Sequence, residues 1–390
     1  MTTTVDVPTA ETRRLALQDE LDSERTALER NKLGQFATPP ALALDIARYM
    51  AQLCRTTSEP IRFAEPAVGS GAFFAALIQA FPRDSIASAV GIEIDPRFAV
   101  AARELWSSNG LTVTEGDFTL LKPWEKPDQR PNLILTNPPY VRHHHLSRRQ
   151  KEYLQPVTAA ATGLKVSGLA GLYVYFFLLA GTWLAENGLG AWLIPSEFMD
   201  VNYGSVLKRY LTELTTLLSI HRFDPSDVQF GDALVSSAVV VFRKAPPLAG
   251  ATARFTFGGT VTCPHVSEDV PLSELRHAHK WTSYPRQPSD LGDVTVFGAD
   301  DGPLLRDFFR VQRGLATGDN SFFIIPREEA IKRRFPEEYL RPILPSARNL
   351  RSSVIEADDD GYPLLEPQLA LIDCDLPEDE LAQRCPSLWS

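Results

Sequence analysis

Between residue 30 and about residue 245 the chain alternates two hydrophobic patterns. Short continuous apolar runs read as strands buried on both faces, and longer stretches with apolar residues three and four apart read as helices. Strands are expected at Ile61–Glu65, Ala89–Ile94, Leu111–Thr114, Asn132–Thr136 and Gly188–Pro195, with Leu218–Phe223 and Val235–Phe242 as a closing pair. Helices are expected at Ala41–Leu53, Leu172–Leu184 and Asn202–Leu218. This predicts an α/β fold, Rossmann-like, with a mostly parallel seven-stranded sheet flanked by helices. Residues 1–30 read as a charged helical extension with no evident chemistry, and Ala245–Gly250 as a linker. Past the linker, Thr252–Thr262 alternates like a hairpin around Gly258 and Gly259. The expected division is 1–30, 31–245 and a smaller C-terminal domain, 246–390.

Chemistry gathers at the ends of the expected strands, where open α/β sheets bind ligands. Asn132–Thr136 runs into Asn137-Pro138-Pro139-Tyr140. Asn137 offers an amide, two prolines stiffen the backbone behind it, and Tyr140 adds a flat ring. The set suits a planar amino group held in one orientation, although a proline-rich turn with a capping Asn has the same residues. Upstream, Glu65-Pro66-Ala67-Val68-Gly69-Ser70-Gly71 joins a strand to a helix start. Gly69 and Gly71 are expected to bring backbone N–H groups close to a ligand. Phe74 replaces the third glycine of a dinucleotide fingerprint and no Gly-Lys-Ser/Thr follows, so a smaller anionic group fits better than a triphosphate. Glu93 ends the next strand at the offset of a ribose acceptor, followed by Ile94; Asp95 reads as the cap of the following helix. Asp117-Phe118 end a third unit, where Asp117 is either an acceptor for a ring amino group or a turn residue after Gly116.

These segments, in this order, resemble class I S-adenosylmethionine-dependent DNA adenine-N6 methyltransferases. Gly34-Gln35-Phe36-Ala37-Thr38-Pro39-Pro40, lying before the glycine loop, is similar to the gamma arrangement of the TaqI-like and Eco57I-like restriction–modification enzymes. The likeness covers residues 31–245 and, more weakly, Arg313–Asn320 with Phe322 and Phe323. It implies S-adenosyl-L-methionine as cofactor, held by Gln35, Phe36, Ala37, Thr38, Glu65, Pro66, Ala67, Gly69, Gly71, Glu93, Ile94, Asp117, Phe118 and Asn137. It implies catalysis by Asn137, Pro138, Pro139 and Tyr140, with Tyr140 and Phe230 stacking on a flipped-out base. Read locally, Thr38 is an N-cap with Pro39 opening the helix, and Phe230 is equally a core residue at a strand entrance. The loop departs from the family's commoner residues at Glu65 and Val68, neither of which removes a backbone contact. Residues 246–390 are expected to be the start of a target-recognition domain, truncated relative to the family, with no room before residue 31 for a nuclease.

An amino group on an aromatic ring is a poor nucleophile. Acceptors on both of its N–H bonds, the Asn137 oxygen and the Pro138 carbonyl, would free its lone pair. No cysteine follows a proline, which disfavours cytosine C5 methylation; cytosine N4 remains open, with Ser more usual at that site. Methylation of protein glutamine or of an RNA base, and an idle nucleic-acid-binding subunit, are the competing readings.

Net charge first argues against a double-stranded DNA partner, at -10. Residues 352–390 hold ten acidic residues and one arginine, so the remaining chain is nearly neutral. Arg142, Arg148, Arg149 and Lys151 then stand out as phosphate contacts, with Lys332, Arg333, Arg334, Arg341, Arg348 and Arg351 as a second cluster or as solvated helix charge. A cognate restriction endonuclease or a specificity partner is expected. Four scattered cysteines favour neither a disulfide frame nor a metal site, and His143–His145 are expected to diverge as a partly cationic loop. With no signal peptide and no membrane span, a cytoplasmic enzyme is expected.

Overall fold

The structure, a computed structural model, describes residues 7–55, 59–224, 236–286, 308, 320–344 and 354–389. They divide between two compact units, Met1–Val294 and Thr295–Ser390. In the first, α1 (Val7–Ser23), α2 (Ala27–Leu33) and α3 (Pro40–Cys54) precede the sheet. Strands β1 (Ile61–Glu65), β2 (Ile86–Glu93), β3 (Leu111–Glu115), β4 (Leu133–Thr136), β5 (Leu189–Pro195), β6 (Thr216–Arg222) and β7 (Ser237–Arg243) lie in the order β3-β2-β1-β4-β5-β7-β6. The first five run parallel, and β7 is antiparallel between β5 and β6. Strand order reverses between β1 and β4, which opens a crevice at their C-terminal ends.

Helices α4 (Ala72–Ala80), α5 (Pro96–Trp106), α6 (Arg148–Thr162), α7 (Leu172–Trp183) and α8 (Ser205–Arg209) complete the layers. Both sheet faces are covered, which is why the strand sequences are nearly continuous in apolar residues. Ile134, Trp192 and Ile194 join one apolar cluster with α7; Leu133, Leu135 and Leu193 join the other with α3, α4 and α5.

The sheet continues past seven strands. β8 (Thr252–Gly259) pairs parallel with β6, and β9 (Pro264–Pro271) antiparallel with β8, giving nine. The expected hairpin is this pair, longer than anticipated and turning just after Gly258 and Gly259. Pairing covers the open β6 edge, and Ala253, Phe255 and Val270 are buried in the α7-side core. Ala245–Gly250 is therefore a connector within the first unit. The helix expected over Asn202–Leu218 is also shorter. Its last turn closes with an i→i+5 bond from Thr215 N to Tyr210 O (2.9 Å), and the β-branched pair Thr215-Thr216 leads into β6.

The second unit holds a three-stranded sheet of β10 (Ile324–Pro326), β11 (Leu340–Ile343) and β12 (Leu369–Ile372), with β12 central and antiparallel to both. Ile325, Ala330, Leu340, Tyr362 and Ala370 form its core. Of the second basic cluster, Arg333 pairs with Glu329 and Arg341 with Asp373, so part of its charge is neutralised locally. Arg348, Arg351, Phe230 and Arg313–Asp319 lie outside the described residues. Among the described residues no helix is long and apolar enough to cross a membrane.

Candidate active site

A cleft of about 630 Å³ opens where β1, β2, β3 and β4 end. Gln35, Phe36, Ala37 and Thr38 line it from the segment before α3. Glu65, Pro66, Ala67 and Gly69 line it after β1, Glu93 and Ile94 after β2, Asp117 and Phe118 after β3, and Asn137 and Pro139 after β4. Five residue groups from five chain segments thus converge on one space.

The glycine loop works differently from the expectation. Gly71 N–H closes a turn onto Val68 O (2.8 Å), and Gly69 N–H donates to Glu93 Oε2 (2.8 Å). Neither N–H is left over for a ligand. The glycines matter for space instead. Gly69 has a left-handed φ of 52° and nothing within 4 Å of where a Cβ would sit, so ligand can reach its backbone. Gly71, at φ 89°, leaves room for the Trp106 indole, whose Nε1 donates to Ser70 O (2.9 Å). Gly71 therefore supports the loop from behind and is not part of the cleft lining.

Glu93 is fixed by two backbone donors, Gly69 N and Asp95 N (2.9 Å to Oε1). Burial raises its carboxyl above the ordinary range, opposed by these two N–H groups. Asp95 caps α5 as expected, accepting from Arg97 N (3.1 Å). Asp117 Oδ1 accepts from Thr119 N and Oγ1 (2.9 and 2.7 Å), so its turn role is real while it also faces the cleft. The Phe118 ring packs on Phe176 and Trp183 (5.2 and 4.8 Å). Ile94 is 64% exposed at the cleft, a large apolar side chain of the kind a bound ring covers.

Two polar atoms stand out. Glu65 is 2% exposed, and its Oε2 has no hydrogen-bond partner among the described residues. Burial pushes its carboxyl well above the usual value, the Glu93 charge adds to this, and the Arg14 guanidinium opposes it. Asn137 Oδ1 is likewise buried and partnerless among the described residues. Its Nδ2 donates to Phe36 O (2.9 Å) and Thr38 Oγ1 (3.1 Å), which fixes the amide orientation and aims only the oxygen at unfilled space. This corrects the reading of Thr38 as a helix cap: Pro39 occupies the cap position without a side-chain bond, and α3 opens at Pro40.

Tyr140 departs most from expectation. It is 6% exposed, its hydroxyl donates to Leu193 O (2.9 Å), and its ring tilts against Phe36 at 5.6 Å. It forms the back wall behind Asn137, off the cleft lining. Pro138 also stays off that lining. Arg149 lines the cleft near its mouth and Arg142 is exposed, while Arg148 pairs with Glu152 (2.8 Å). Lys151 is half-buried on α6. His143–His145 form one tight turn with neighbouring rings in contact (5.4 and 4.2 Å), contrary to the expected divergence.

Sequence reasoning expected a charged helix before residue 31 but missed the place of α1 at the cleft. Arg14 Nη1 donates to Ser70 Oγ (3.0 Å), Ser70 Oγ donates to Gln18 Oε1 (2.7 Å), and Gln18 and Asp22 line the cleft. The available signal was a ladder of four-residue steps, Ala10, Arg14, Gln18 and Asp22, which places all four on one helix face.

The buried Glu65 carboxyl, with its Oε2 partnerless among the described residues, has a thermodynamic signature. Its raised pKa means that its contribution favours folding at low pH and is lost as pH rises through the folded value. Glu65→Gln should therefore gain stability over the parent as pH rises from 5 to 8, by about 1–3 kcal/mol at the upper end. Melting curves across that range check it; an equal gain at every pH would contradict the assignment.

The fold is similar to that of solved class I S-adenosylmethionine-dependent methyltransferases. A protein from Listeria monocytogenes described as such an enzyme superposes with TM-score 0.50 at 14% identity, over 71% of this chain and 82% of its own. The type IIG restriction endonuclease BpuSI also superposes with TM-score 0.50, over 89% of this chain and 45% of its own. More particularly, residues 100–229, which contain Asp117 and Asn137–Tyr140, match the family described as Eco57I restriction-modification methylase. The Type II methyltransferase M.XamI of Xanthomonas campestris pv. amaranthicola is 30% identical over 326 residues, 82% of this chain and 58% of that protein. M.AccI of Acinetobacter calcoaceticus is 25% identical over 357 residues, 86% of this chain and 61% of that protein. The chain is thus similar in sequence to Type II restriction–modification methyltransferases and spans about three fifths of the length of these two.

Proposed function

We propose that this chain carries the catalytic part of a site-specific DNA methyltransferase that transfers a methyl group from S-adenosyl-L-methionine to the N6 amino group of a flipped-out adenine. The observation carrying the reading is Asn137 Oδ1, a buried acceptor without a partner among the described residues, in the same cleft as the glycine loop. A donor aimed at it would satisfy a group otherwise costly to bury.

The residues present fit the cofactor. Glu93 is held by Gly69 and Asp95 with lone pairs left to accept from a ribose diol. Ile94 and Phe118 supply apolar surface for a ring, and the partnerless Glu65 Oε2 is an acceptor for an ammonium group. When bound, S-adenosylmethionine would supply an electrophilic methyl on a sulfonium that is its own leaving group. The chain's part is then positioning. Asn137 Oδ1 accepts from one N–H bond of the target amine, which localises its lone pair toward the methyl carbon; the Pro138 carbonyl, off the cleft lining here, is the acceptor that the family resemblance assigns to the other. The proton released after transfer leaves to solvent. Tyr140 contributes by fixing Asn137 from behind, and Phe230 is the aromatic we assign to stacking on the extruded base. Extrusion is required because the amine cannot be reached inside the duplex.

Arg149 at the cleft and the exposed Arg142, with Arg148 and Lys151 on α6, are assigned to the phosphate backbone of double-stranded DNA. The second unit we assign to target recognition, and a cognate restriction endonuclease or specificity partner would complete the system. Phe230→Ala should weaken binding to DNA carrying an abasic or mismatched target by about 1–3 kcal/mol. Unchanged affinity and rate in titrations with such duplexes would remove Phe230 from the site.

A further inference from the structure

The N-terminal helix meets the glycine loop through polar groups, with Ala10 and Leu17 packing on the apolar cluster beside them. Ala10, Arg14 and Gln18 are its buried residues. Arg14 is 1% exposed, yet it is a full positive charge. Glu11 grips it through two bonds, Nε to Oε2 (2.8 Å) and Nη2 to Oε1 (2.6 Å). Its remaining arm reaches Ser70 Oγ at 3.0 Å. Ser70 Oγ in turn donates to Gln18 Oε1 at 2.7 Å, and Gln18 Nε2 donates to Asp22 Oδ2 at 2.9 Å. The chain of bonds runs Glu11, Arg14, Ser70, Gln18, Asp22, and its last two members line the cleft.

This network has features a mere packing contact lacks. Burying an arginine on a surface helix costs several kcal/mol unless it is fully bonded, and a leucine would fill the space more cheaply. The end of the network is a carboxylate held at the cleft. Arg30 Nη1 clamps the Asp22 carbonyl at 2.8 Å, so the backbone there is fixed as well. The same cleft holds Glu65 with a partnerless, buried oxygen. Two carboxylates, Asp22 and Glu65, thus line one cleft, with Arg14 acting on Glu65 from behind.

We infer that α1 completes the cofactor site, with Asp22 accepting from the ammonium group at the cofactor's amino-acid end and Arg14 acting as the positioning residue that holds Ser70, Gln18 and Asp22 in place. The inference rests on the cofactor assigned above and extends it to a helix with no evident chemistry in the sequence. Asp22 and Glu65 accept from one ammonium group, which offsets one of their two negative charges. Arg14 offsets part of the negative potential from inside the protein.

The test is calorimetric binding of three ligands to the full chain: S-adenosylmethionine, S-adenosylhomocysteine, and 5′-methylthioadenosine, which lacks the amino-acid end. Asp22→Asn should weaken the first two by about tenfold, the size of one charge-assisted hydrogen bond, and leave the third unchanged. Arg14→Met should weaken the first two similarly, with Arg14→Lys recovering part of the loss. Equal weakening of all three ligands would mean that α1 is only a structural prop, and unchanged binding of all three would remove it from the site. If the parent chain bound none of the three, the cofactor assignment itself would fail, which is a different outcome from either.

Discussion

Asn137→Ala should reduce methyl transfer to DNA by about 10³-fold or more while leaving cofactor affinity nearly unchanged. The side chain does two separable jobs. Its nitrogen ties β4 to Phe36 O and Thr38 Oγ1, and its oxygen is the partnerless acceptor in the cleft. Alanine removes both, so a second variant is needed. Asn137→Asp keeps an acceptor but cannot donate to Phe36 O, and should also be severely impaired because two oxygens would face each other there. Single-turnover rates with tritiated cofactor, beside calorimetric affinities, separate the two effects. Transfer at the parent rate by Asn137→Ala would remove the group on which the proposed chemistry depends.

Gly34→Ala should be the most damaging single methyl addition near the site. Gly34 sits at φ 66°, and a Cβ there would lie 2.4 Å from Tyr140 N and 2.6 Å from Val141 N. Both are backbone atoms and cannot swing aside. The present contact is also a bond, Tyr140 N–H to Gly34 O at 3.0 Å. Strain and overlap together should cost about 2–5 kcal/mol, and whatever folds should hold Asn137 away from Phe36. Denaturant titration gives the stability, and the activity of the folded fraction gives the rest. A parent-like stability with parent-like activity would mean that the 34–40 segment and the Asn137 turn are not coupled as described.

Much of this arrangement was legible in the chain. Buried parallel strands announce themselves as apolar runs, and carboxylates or small residues placed just after them must sit at the sheet's binding edge. Glu65, Glu93, Asp117 and Asn137 were all found in that way, and all line the cleft. What escaped depended on partners distant in sequence. Arg14 and Gln18 find Ser70 more than 50 residues away, so a helix that looks solvated is half buried. Thr38 has the local signature of a cap, yet its hydroxyl serves Asn137, 99 residues on. Tyr140 looked like a free aromatic face until its hydroxyl found Leu193 O. The glycines were read as bringing N–H groups to a ligand, but those groups are consumed by Val68 and Glu93, and only Gly69 lines the cleft. The two added strands were missed because a hairpin pattern does not say which edge it will cover.

The central claim is that one cleft joins a bound S-adenosylmethionine to an extruded adenine through Asn137. Its most direct test is mass spectrometry of nucleosides from the DNA of a methylation-free host expressing the chain, beside the Asn137→Ala variant. The account predicts N6-methyladenine above the empty-vector level with the parent and none with the variant. Methyl label found instead in cytosine, RNA or protein, or N6-methyladenine at equal levels with both chains, would contradict it.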